Sequence, residues 1–334
     1  MKTLIIGGPG TISAGTLDEL PQKGMETAVF TRSREQKLIP KNVKCYWGDR
    51  NNESELRSCI NDFRPDVVID TICFRKEQAQ ALHELIKETV QHLVFVSTVV
   101  VYGASNQRLP VREDDPGRIS EDNEYGYHKL LCERFYFDRH TVAGFPVTIV
   151  RPAYSFGPKV IIGMFSEGYN FLRRLRDCRP VAVPSSGQTL LHACPGRDVG
   201  RMIARIVLEP RAIGTAYNLA YESYLTHDSY VNAFATAFSR AADIIHIPQD
   251  IIEQSGNADA KIMLHRHKVF LSSVFSIEKF TRDYPDFRWT PFAEAAVETV
   301  RACDHAGLLD GAAPHTFEDD MIAAWRKATG GLRF

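Results

Sequence analysis

The first half of the chain alternates short runs of β-branched residues with stretches of helical periodicity, and this alternation is the feature that most limits its fold. Strands that are separated by helices pair in parallel, because the chain must cross over between neighbouring strands. The predicted strands are Thr3–Ile6, Thr27–Thr31, Val43–Trp47, Val67–Asp70, Leu93–Ser97 and Val147–Val150. The predicted helices between them are Thr11–Lys23, Glu53–Phe63, Lys76–Val90 and Tyr125–Ala143. Six strands in this rhythm predict an α/β fold with a Rossmann-like, doubly wound parallel sheet.

The second half of the chain loses this alternation after Arg151-Pro152. Segments rich in Gly, Pro and Ser interrupt it at residues 157–158 and 184–187, as is typical of ligand-binding parts that are built on loops. We therefore expect a nucleotide-binding domain over residues 1–152 and a smaller α/β substrate-binding part over residues 153–334, which can interleave with the first. The later predicted elements are the strand Ala216–Ala220 and the helices Asp198–Leu208, His227–Arg240, Phe292–Ala306 and Phe317–Ala328.

The first predicted strand runs directly into the turn Gly7-Gly8-Pro9-Gly10-Thr11-Ile12-Ser13, after which a helix begins. Glycines let the backbone approach a pyrophosphate, whose charge the free N–H groups and dipole of a helix N-terminus stabilise. Gly7 and Gly10 match the spacing of dinucleotide-binding turns, and Ser13 replaces the third glycine with another small residue. We predict that Gly7, Gly10, Thr11 and Ile12 contact a dinucleotide; the alternative is an ordinary Gly-Pro turn.

The ends of the second and third predicted strands bear on the choice between NAD and NADP. The second ends in Thr31-Arg32-Ser33-Arg34, which offers no carboxylate for the 2′-hydroxyl of NAD. Because guanidinium groups bind phosphate in bidentate fashion, Arg32 favours NADP over NAD, with solvated loop arginines as the alternative. The third strand ends at Gly48-Asp49-Arg50, where we expect Asp49 and Arg50 to contact the cofactor, although Asp49 is equally suited to a simple turn.

Tyr125 precedes Lys129 by four residues, which places both on one face of the fourth predicted helix. A nearby ammonium lowers the pKa of a phenol, so that a group which normally titrates near pH ~10 becomes a usable general acid/base. The hydroxyl pair Ser97-Thr98 ends the fifth predicted strand, at the edge of the sheet where ligands of such folds bind. Tyr127 is the other candidate tyrosine in this helix, but the residue four positions after it is Leu131 rather than a lysine, so Tyr125 is the better acid/base candidate.

Taken in order, these motifs resemble the extended short-chain dehydrogenase/reductase family, also described as the NAD(P)-dependent epimerase/dehydratase family. The resemblance runs through Gly7–Ser13, Gly48-Asp49, Ser97–Gly103, Tyr125–Lys129 and residues 151–158, 197–199 and 217–219. It implies that Thr98 hydrogen-bonds the reacting substrate oxygen, Tyr125 is the acid/base, and Lys129 holds the nicotinamide ribose and lowers the pKa of the tyrosine. It also implies hydride transfer at a hydroxyl or carbonyl carbon of a nucleotide sugar, and a homodimer.

One departure from the family pattern narrows the reaction. The 4,6-dehydratases of the family carry Thr-Asp-Glu at the active-site strand end, whereas this chain has Thr98-Val99-Val100. We therefore expect an epimerase or reductase rather than a dehydratase. The resemblance also makes Tyr154, Ser155 and Phe156 candidate substrate-lining residues, with a structural turn as the alternative.

A second function stays open, that of a catalytically retired dinucleotide-binding protein with an RNA-binding or regulatory role. Ser13 and the strand end at residues 31–33 also resemble reductase-like and chloroplast RNA-binding relatives. Against nucleic-acid binding, 40 basic residues face 41 acidic ones, so no overall basic field exists. The basic cluster Arg173, Arg174, Arg176 and Arg179 is predicted to be a solvated helix face rather than an anion site.

The remaining composition favours a reduced, cytoplasmic protein. Its seven cysteines are an odd set without a Cys-x-x-Cys pair, which disfavours a disulfide framework or a zinc site. The pair His265 and His267 lacks a third ligand pattern, so we expect no metal. The N-terminal apolar run is too short for a signal peptide, and no run of ~18 apolar residues suggests a membrane span.

Overall fold

The structure is a computed structural model that describes residues 1–34, 38–103, 108–165, 168–256, 258 and 272–330. The strands are β1 Lys2–Ile6, β2 Glu26–Thr31, β3 Lys44–Trp47, β4 Val67–Asp70, β5 His92–Val96, β6 Val147–Pro152, β7 Tyr154–Phe156, β8 Val181–Pro184, β9 Leu190–Leu191, β10 Ala193–Pro195, β11 Ala216–Leu219, β12 Leu225–Thr226 and β13 Ile244–Ile247. The α-helices are α1 Ser13–Gln22, α2 Glu53–Phe63, α3 Lys76–Ile86, α4 Glu124–Ala143, α5 Tyr169–Arg176, α6 Gly196–Ile206, α7 His227–Ala237, α8 Gln249–Gln254, α9 Glu278–Asp283, α10 Phe292–His305 and α11 Phe317–Thr329. Short 3₁₀-helices cover Val99–Tyr102 and Pro210–Ala212.

Six strands from the first half of the chain and β11 from the second half form a seven-stranded sheet in the order β11-β6-β5-β4-β1-β2-β3, and every pairing in it is parallel. All residues of β4, β5 and β6 are buried, as expected for strands that helices cover on both faces. The strand order reverses between β1 and β4, the place where open α/β sheets bind their ligands. The predicted doubly wound fold and its six strands are confirmed.

The chain divides into two compact units. The first contains Met1–Ser155, Gly196–Ala220 and Phe275–Arg288, and the second contains Phe156–Pro195, Tyr221–Val274 and Trp289–Phe334. The prediction placed a boundary at residue 152 and left room for interleaving, and the first unit contains two later segments. They belong there because β11 extends the sheet beside β6 and α6 packs on α1. The α1–α6 approach is so close that a Cβ added to Gly15 would lie 1.9 Å from the carbonyl oxygen of Arg197.

A buried polar network joins β6, α4 and β11 within the first unit. The guanidinium of Arg151 donates to both carboxylate oxygens of Glu133, at 2.7 to 3.2 Å, and to the hydroxyl of Tyr102 at 2.7 Å. That hydroxyl donates in turn to Oδ1 of Asn218 at 2.7 Å. Buried charges need such partners, because isolated burial of an ion is expensive. Two of the family segments, residues 151–158 and 217–219, therefore contribute residues that stabilise the fold.

The arginines of the cluster in the second unit form hydrogen bonds and ion pairs within the protein, and none of them is fully exposed. Arg174 is fully buried and forms ion pairs with Glu318 and Asp319. Arg173 donates to the carbonyl of Leu308 at 2.8 Å, and Arg176 and Arg179 donate to carbonyls at residues 309–314. The prediction of a solvated face is wrong, because three of these four side chains hydrogen-bond backbone carbonyls of the loop at residues 308–314 and the fourth is buried in ion pairs.

Among the described residues, no helix is both long enough and apolar enough to cross a membrane. The histidines His265 and His267 lie outside the described residues.

Candidate active site

The glycine-rich turn lies between β1 and α1, at the carboxyl end of β1. Gly7 and Gly8 have φ angles of +95° and +134°, which L side chains rarely adopt. A Cβ at Gly7 would also lie 2.5 Å from Oγ1 of Thr71, so two constraints require glycine there. Ser13, in place of a third glycine, accepts a hydrogen bond of 2.8 Å from the backbone N–H of Gly10. The serine hydroxyl thus holds the turn in its compact form.

The side chain of Thr11 makes this turn suitable for a dinucleotide. Oγ1 of Thr11 is buried and has no hydrogen-bond partner within the described part of the chain. A buried hydroxyl without a partner is costly, so its presence beside a helix N-terminus indicates an acceptor that binds there. Gly7, Gly10, Thr11 and Ile12 all lie in the turn or at the start of α1. Their direct contact with a cofactor stays a prediction.

At the ends of β2 and β3, Arg32 and Asp49 form an ion pair of 3.1 Å between Nη1 and Oδ2. The Arg32 side chain is 74% exposed, so it remains accessible to a ligand. The backbone N–H of Asn51 and the charge of Arg32 lower the pKa of Asp49. The structure thus pairs Arg32 with Asp49, two predicted cofactor-binding residues, and this ion pair was not predicted from the sequence.

Arg50, the next residue, is placed differently from our expectation. Its guanidinium is buried against the carboxylate of Asp70 at the end of β4, and both side chains are at most 4% exposed. Burial lowers the pKa of Arg50, but the charge and hydrogen bond of Asp70, together with the nearby Cys73, outweigh burial and raise it. The prediction that Arg50 contacts the cofactor is therefore corrected: this side chain is a structural partner of β4.

The predicted acid/base and its hydroxyl partner meet in the structure. Thr98 follows β5 and Tyr125 lies in the first turn of α4, which begins at the N-cap residue Asn123. Burial of the Tyr125 hydroxyl raises its pKa, and a hydrogen bond with Thr98 offsets part of this rise. The ring itself remains 48% exposed. Tyr125 is thus a neutral, reachable phenol beside a hydroxyl group, and its raised pKa suits it to donate rather than to accept a proton at neutral pH.

Lys129 occupies a buried position one turn after Tyr125. It is 1% exposed, and its Nζ donates to the carbonyl of Val96 at 2.7 Å. Burial lowers its pKa, while the charge of Asp70 opposes that shift. The prediction that Lys129 lowers the pKa of Tyr125 is wrong for this structure, since the tyrosine pKa is raised and the ammonium bonds to the strand instead.

Two residues near the site were absent from the predicted set. Oγ of Ser97 is buried without a hydrogen-bond partner among the described residues, beside Thr98. The ring of Phe74 lies 6.3 Å from that of Tyr125 and 4.8 Å from Nζ of Lys129. The sequence pattern that indicated Ser97 is the pair of hydroxyl residues, Ser97 and Thr98, at the end of β5. No sequence pattern marks Phe74, because its loop reaches α4 only in the folded chain.

The candidate substrate-lining residues follow β6. Ser155 donates from Oγ to the carbonyl of Ala153 at 3.0 Å, and Tyr154 is partly buried. Phe156 is 1% exposed and packs within the second unit against aromatic rings, with centroid distances of 5.1 Å to Phe292 and 5.4 Å to Phe234. The substrate-lining prediction for Phe156 is therefore corrected, because a ring buried among other rings offers no surface to a ligand.

Comparisons with known proteins agree with this geometry. The sequence profile of the NAD dependent epimerase/dehydratase family matches residues 3–220. The chloroplast stem-loop binding protein of 41 kDa b from Arabidopsis thaliana is 25% identical over 254 residues, which cover 71% of this chain and 63% of that protein. The chain thus spans under two thirds of this curated relative.

Solved structures share the fold at lower identity. The UDP-glucose 4-epimerase of Bifidobacterium longum, in complex with NAD⁺ and UDP, superposes with a TM-score of 0.74 at 17% identity, covering 92% of this chain and 100% of that one. The dTDP-glucose 4,6-dehydratase of Bacillus anthracis, in complex with NAD, has a TM-score of 0.71 at 17% identity, with 92% and 98% covered. The family profile extends over more than half of the chain, from the glycine-rich turn to the end of β11, and this protein is therefore a member of the NAD-dependent epimerase/dehydratase family.

Proposed function

We propose that the protein is an NAD(P)-dependent oxidoreductase or epimerase that acts at a hydroxyl or carbonyl carbon of a nucleotide sugar. The observation that carries the proposal is that Thr98 and Tyr125 meet at the carboxyl edge of the sheet, where the Thr98 hydroxyl partly offsets the burial that raises the pKa of Tyr125. The glycine-rich turn and the unpartnered hydroxyl of Thr11 at the same edge fit the cofactor. Structural relatives that bind NAD and UDP support the substrate class.

Each residue has a defined task in this proposal. When bound, the nicotinamide supplies the acceptor and donor of hydride. Tyr125 takes the proton from the substrate hydroxyl or returns it to the carbonyl, and Thr98 hydrogen-bonds the same oxygen. The family resemblance assigns the cofactor ribose to Lys129, a task that requires its Nζ to exchange the carbonyl of Val96 for a ribose hydroxyl. The raised pKa of Tyr125 keeps it protonated at neutral pH, so it starts as the acid in the reducing direction.

The direct test compares Tyr125→Phe with Tyr127→Phe. The two tyrosines lie on the same helical turn, but the hydroxyl of Tyr127 donates to Glu121 at 2.8 Å, so Tyr127→Phe controls for loss of a phenol from α4. With NAD⁺ or NADP⁺ and a panel of UDP- and dTDP-sugars, we expect Tyr125→Phe to lower kcat about 10²-fold or more, as loss of a general acid/base does. Near-wild-type kcat in Tyr125→Phe would contradict the assignment.

The same panel tests the reaction type. Val99 and Val100 occupy the 3₁₀-helix after Thr98, and neither offers a carboxylate for elimination. We therefore propose epimerisation or reduction rather than 4,6-dehydration, although a 4,6-dehydratase is among the structural neighbours. Chromatography that shows a 4-keto-6-deoxy product from dTDP-glucose would overturn this part of the proposal alone.

The cofactor preference rests on Arg32. Its exposed guanidinium is suited to a 2′-phosphate, which supports NADP, whereas the structural neighbours cited above bind NAD. We expect Arg32→Ala to weaken NADPH binding about tenfold or more and to leave NADH binding unchanged, since a hydrogen bond to a charged group contributes about 1.5–3 kcal/mol. Equal losses for both cofactors in a fluorescence titration would disprove a 2′-phosphate contact.

A second candidate function follows from the Arabidopsis relative, which is a stem-loop binding protein. The arginine cluster at residues 173–179 does not support it, because its guanidiniums bind carboxylates and backbone carbonyls of the second unit. Binding of a stem-loop RNA that weakens steeply with salt, in a protein inactive on every sugar nucleotide, would favour this candidate. The homodimer and the cytoplasmic location also remain proposals, and sedimentation tests the first.

A further inference from the structure

Phe74 is a large apolar side chain that remains 45% exposed, in the loop between β4 and α3. Its ring centroid lies 4.8 Å from Nζ of Lys129 and 6.3 Å from the ring centroid of Tyr125. A single exposed apolar ring is common on protein surfaces and needs no functional explanation, but this ring contacts two predicted site residues. The position therefore calls for a role at the site.

The surroundings of the Lys129 ammonium show what this ring does. On the core side, Nζ lies 5.1 Å from the ring centroid of Phe95 and donates to the carbonyl of Val96. Phe95 is fully buried and Phe74 is exposed, so Phe74 is the outer cover of an ammonium that is itself almost inaccessible. The face of an aromatic ring attracts a cation, and the attraction grows as the cation loses water. The rings thus replace part of the hydration that burial removes.

Hydrogen bonds fix the loop that carries Phe74. The N–H groups of Phe74 and Arg75 both donate to Oε1 of Gln78, at 2.7 and 3.1 Å. Arg75 reaches across to α4, where Nη2 donates to Glu124 at 3.0 Å and Nη1 lies 3.0 Å from Nε2 of His128. Because an arginine only donates, His128 accepts in this contact. The ring is therefore held relative to the helical turn that bears Tyr125 and Lys129.

We propose that Phe74 is a positioning residue of the active site, whose ring face holds the ammonium of Lys129 in place and excludes water from it. The catalytic meaning of this role rests on the proposed function, but its effect on Lys129 does not. A residue that acted only by its bulk would be replaced equally well by leucine. A residue that acts by its ring face is replaced only by another aromatic side chain.

The experiment uses the full chain with Phe74→Leu, Phe74→Ala and Phe74→Tyr. The matched control is Phe135→Leu. It removes an aromatic ring from α4, the helix that carries Lys129, but this ring lies beside another cation, 5.8 Å from the guanidinium of Arg139. Acetylation by an amine-reactive ester, followed by peptide mass spectrometry, measures the labelling rate of Lys129 relative to the exposed Lys76. A fluorescence titration measures the dissociation constants of NADH and NADPH, and thermal unfolding confirms that each variant is folded.

We expect Phe74→Leu and Phe74→Ala to accelerate labelling of Lys129 relative to Lys76. The same variants should weaken binding of the preferred cofactor about fivefold to thirtyfold, the ratio to which about 1 to 2 kcal/mol corresponds. Phe74→Tyr should restore both properties, and Phe135→Leu should change neither.

Two outcomes overturn the inference. Unchanged labelling of Lys129 in Phe74→Leu shows that the ring does not cover the ammonium, and equal behaviour of Phe74→Leu and Phe74→Tyr shows that only bulk matters. Failure of the proposed function is recognised separately, since a wild-type protein that binds neither NADH nor NADPH still gives a labelling rate for Lys129. Faster labelling in that case supports the role of Phe74 and refutes the enzyme assignment.

Discussion

The buried pair of Arg151 and Glu133 allows the most quantitative prediction. Glu133 accepts three hydrogen bonds from the guanidinium, and the two side chains are only 2% and 6% exposed. Glu133→Gln preserves the shape of the side chain but removes its charge, so the Arg151 cation stays buried without a counter-charge. Breaking a buried pair in this way costs about 3–5 kcal/mol. We therefore expect Glu133→Gln to be strongly destabilising.

Thermal unfolding provides the assay. For a domain of this size, about 2–4 °C of Tm corresponds to each kcal/mol, so Tm should fall by between about 6 and 20 °C. The matched control is Glu84→Gln, also a glutamate on a helix, whose pair with Lys87 at 2.7 Å is 62% and 40% exposed. Exposed pairs contribute about 1 kcal/mol or less, so the control should lose no more than a few degrees.

A double variant separates the cost of a lone charge from the contribution of the pair. In Arg151→Met with Glu133→Leu, neither member of the pair is charged, and replacement of a buried pair by apolar residues is often nearly neutral. The double variant should therefore be more stable than Glu133→Gln alone. If Glu133→Gln loses no more Tm than Glu84→Gln, the reasoning about an uncompensated charge is refuted.

Three further predictions concern stability and titration. His92 is fully buried, and its Nδ1 accepts a hydrogen bond from the N–H of Leu208. Burial lowers the pKa of His92 to about 4, below its pKa of about 6.5 in the unfolded chain. The free energy of unfolding should therefore fall by about 3 kcal/mol as the pH drops from above 6.5 towards 4. Tm measured against pH should show this loss in the wild type and lack it in His92→Gln. Gly15→Ala should destabilise the first unit by about 3 kcal/mol or more in urea unfolding, because its Cβ would overlap the carbonyl of Arg197; an unchanged midpoint would contradict the α1–α6 packing. Thr98→Val should raise the pKa of Tyr125 further, since it removes the hydrogen bond that offsets burial; NMR of ring-labelled tyrosine measures this, and a lowered pKa would argue against the contact.

Much of the candidate site could be predicted because each element was local. The glycine-rich turn, the hydroxyl pair at the end of β5 and the Tyr125–Lys129 spacing each occupy a few consecutive residues. Parallel strands bring their carboxyl ends to one edge, so local patterns on different strands imply a common site. The errors at Arg50, Phe156 and the arginine cluster have one cause. Burial and partner choice depend on residues far away in the sequence, such as Asp70 for Arg50 and Glu318 for Arg174.

The sequence by itself determined the parallel sheet, and it predicted the dinucleotide-type turn and the candidate set of Thr98, Tyr125 and Lys129, because periodicity and short motifs are properties of neighbouring residues. Only the tertiary structure decided that later segments complete the first unit and that Lys129 is buried beneath Phe74. It also decided that the pKa of Tyr125 is raised rather than lowered. Desolvation and charge pairing depend on which distant side chains surround a group, and that information exists only once the chain is folded.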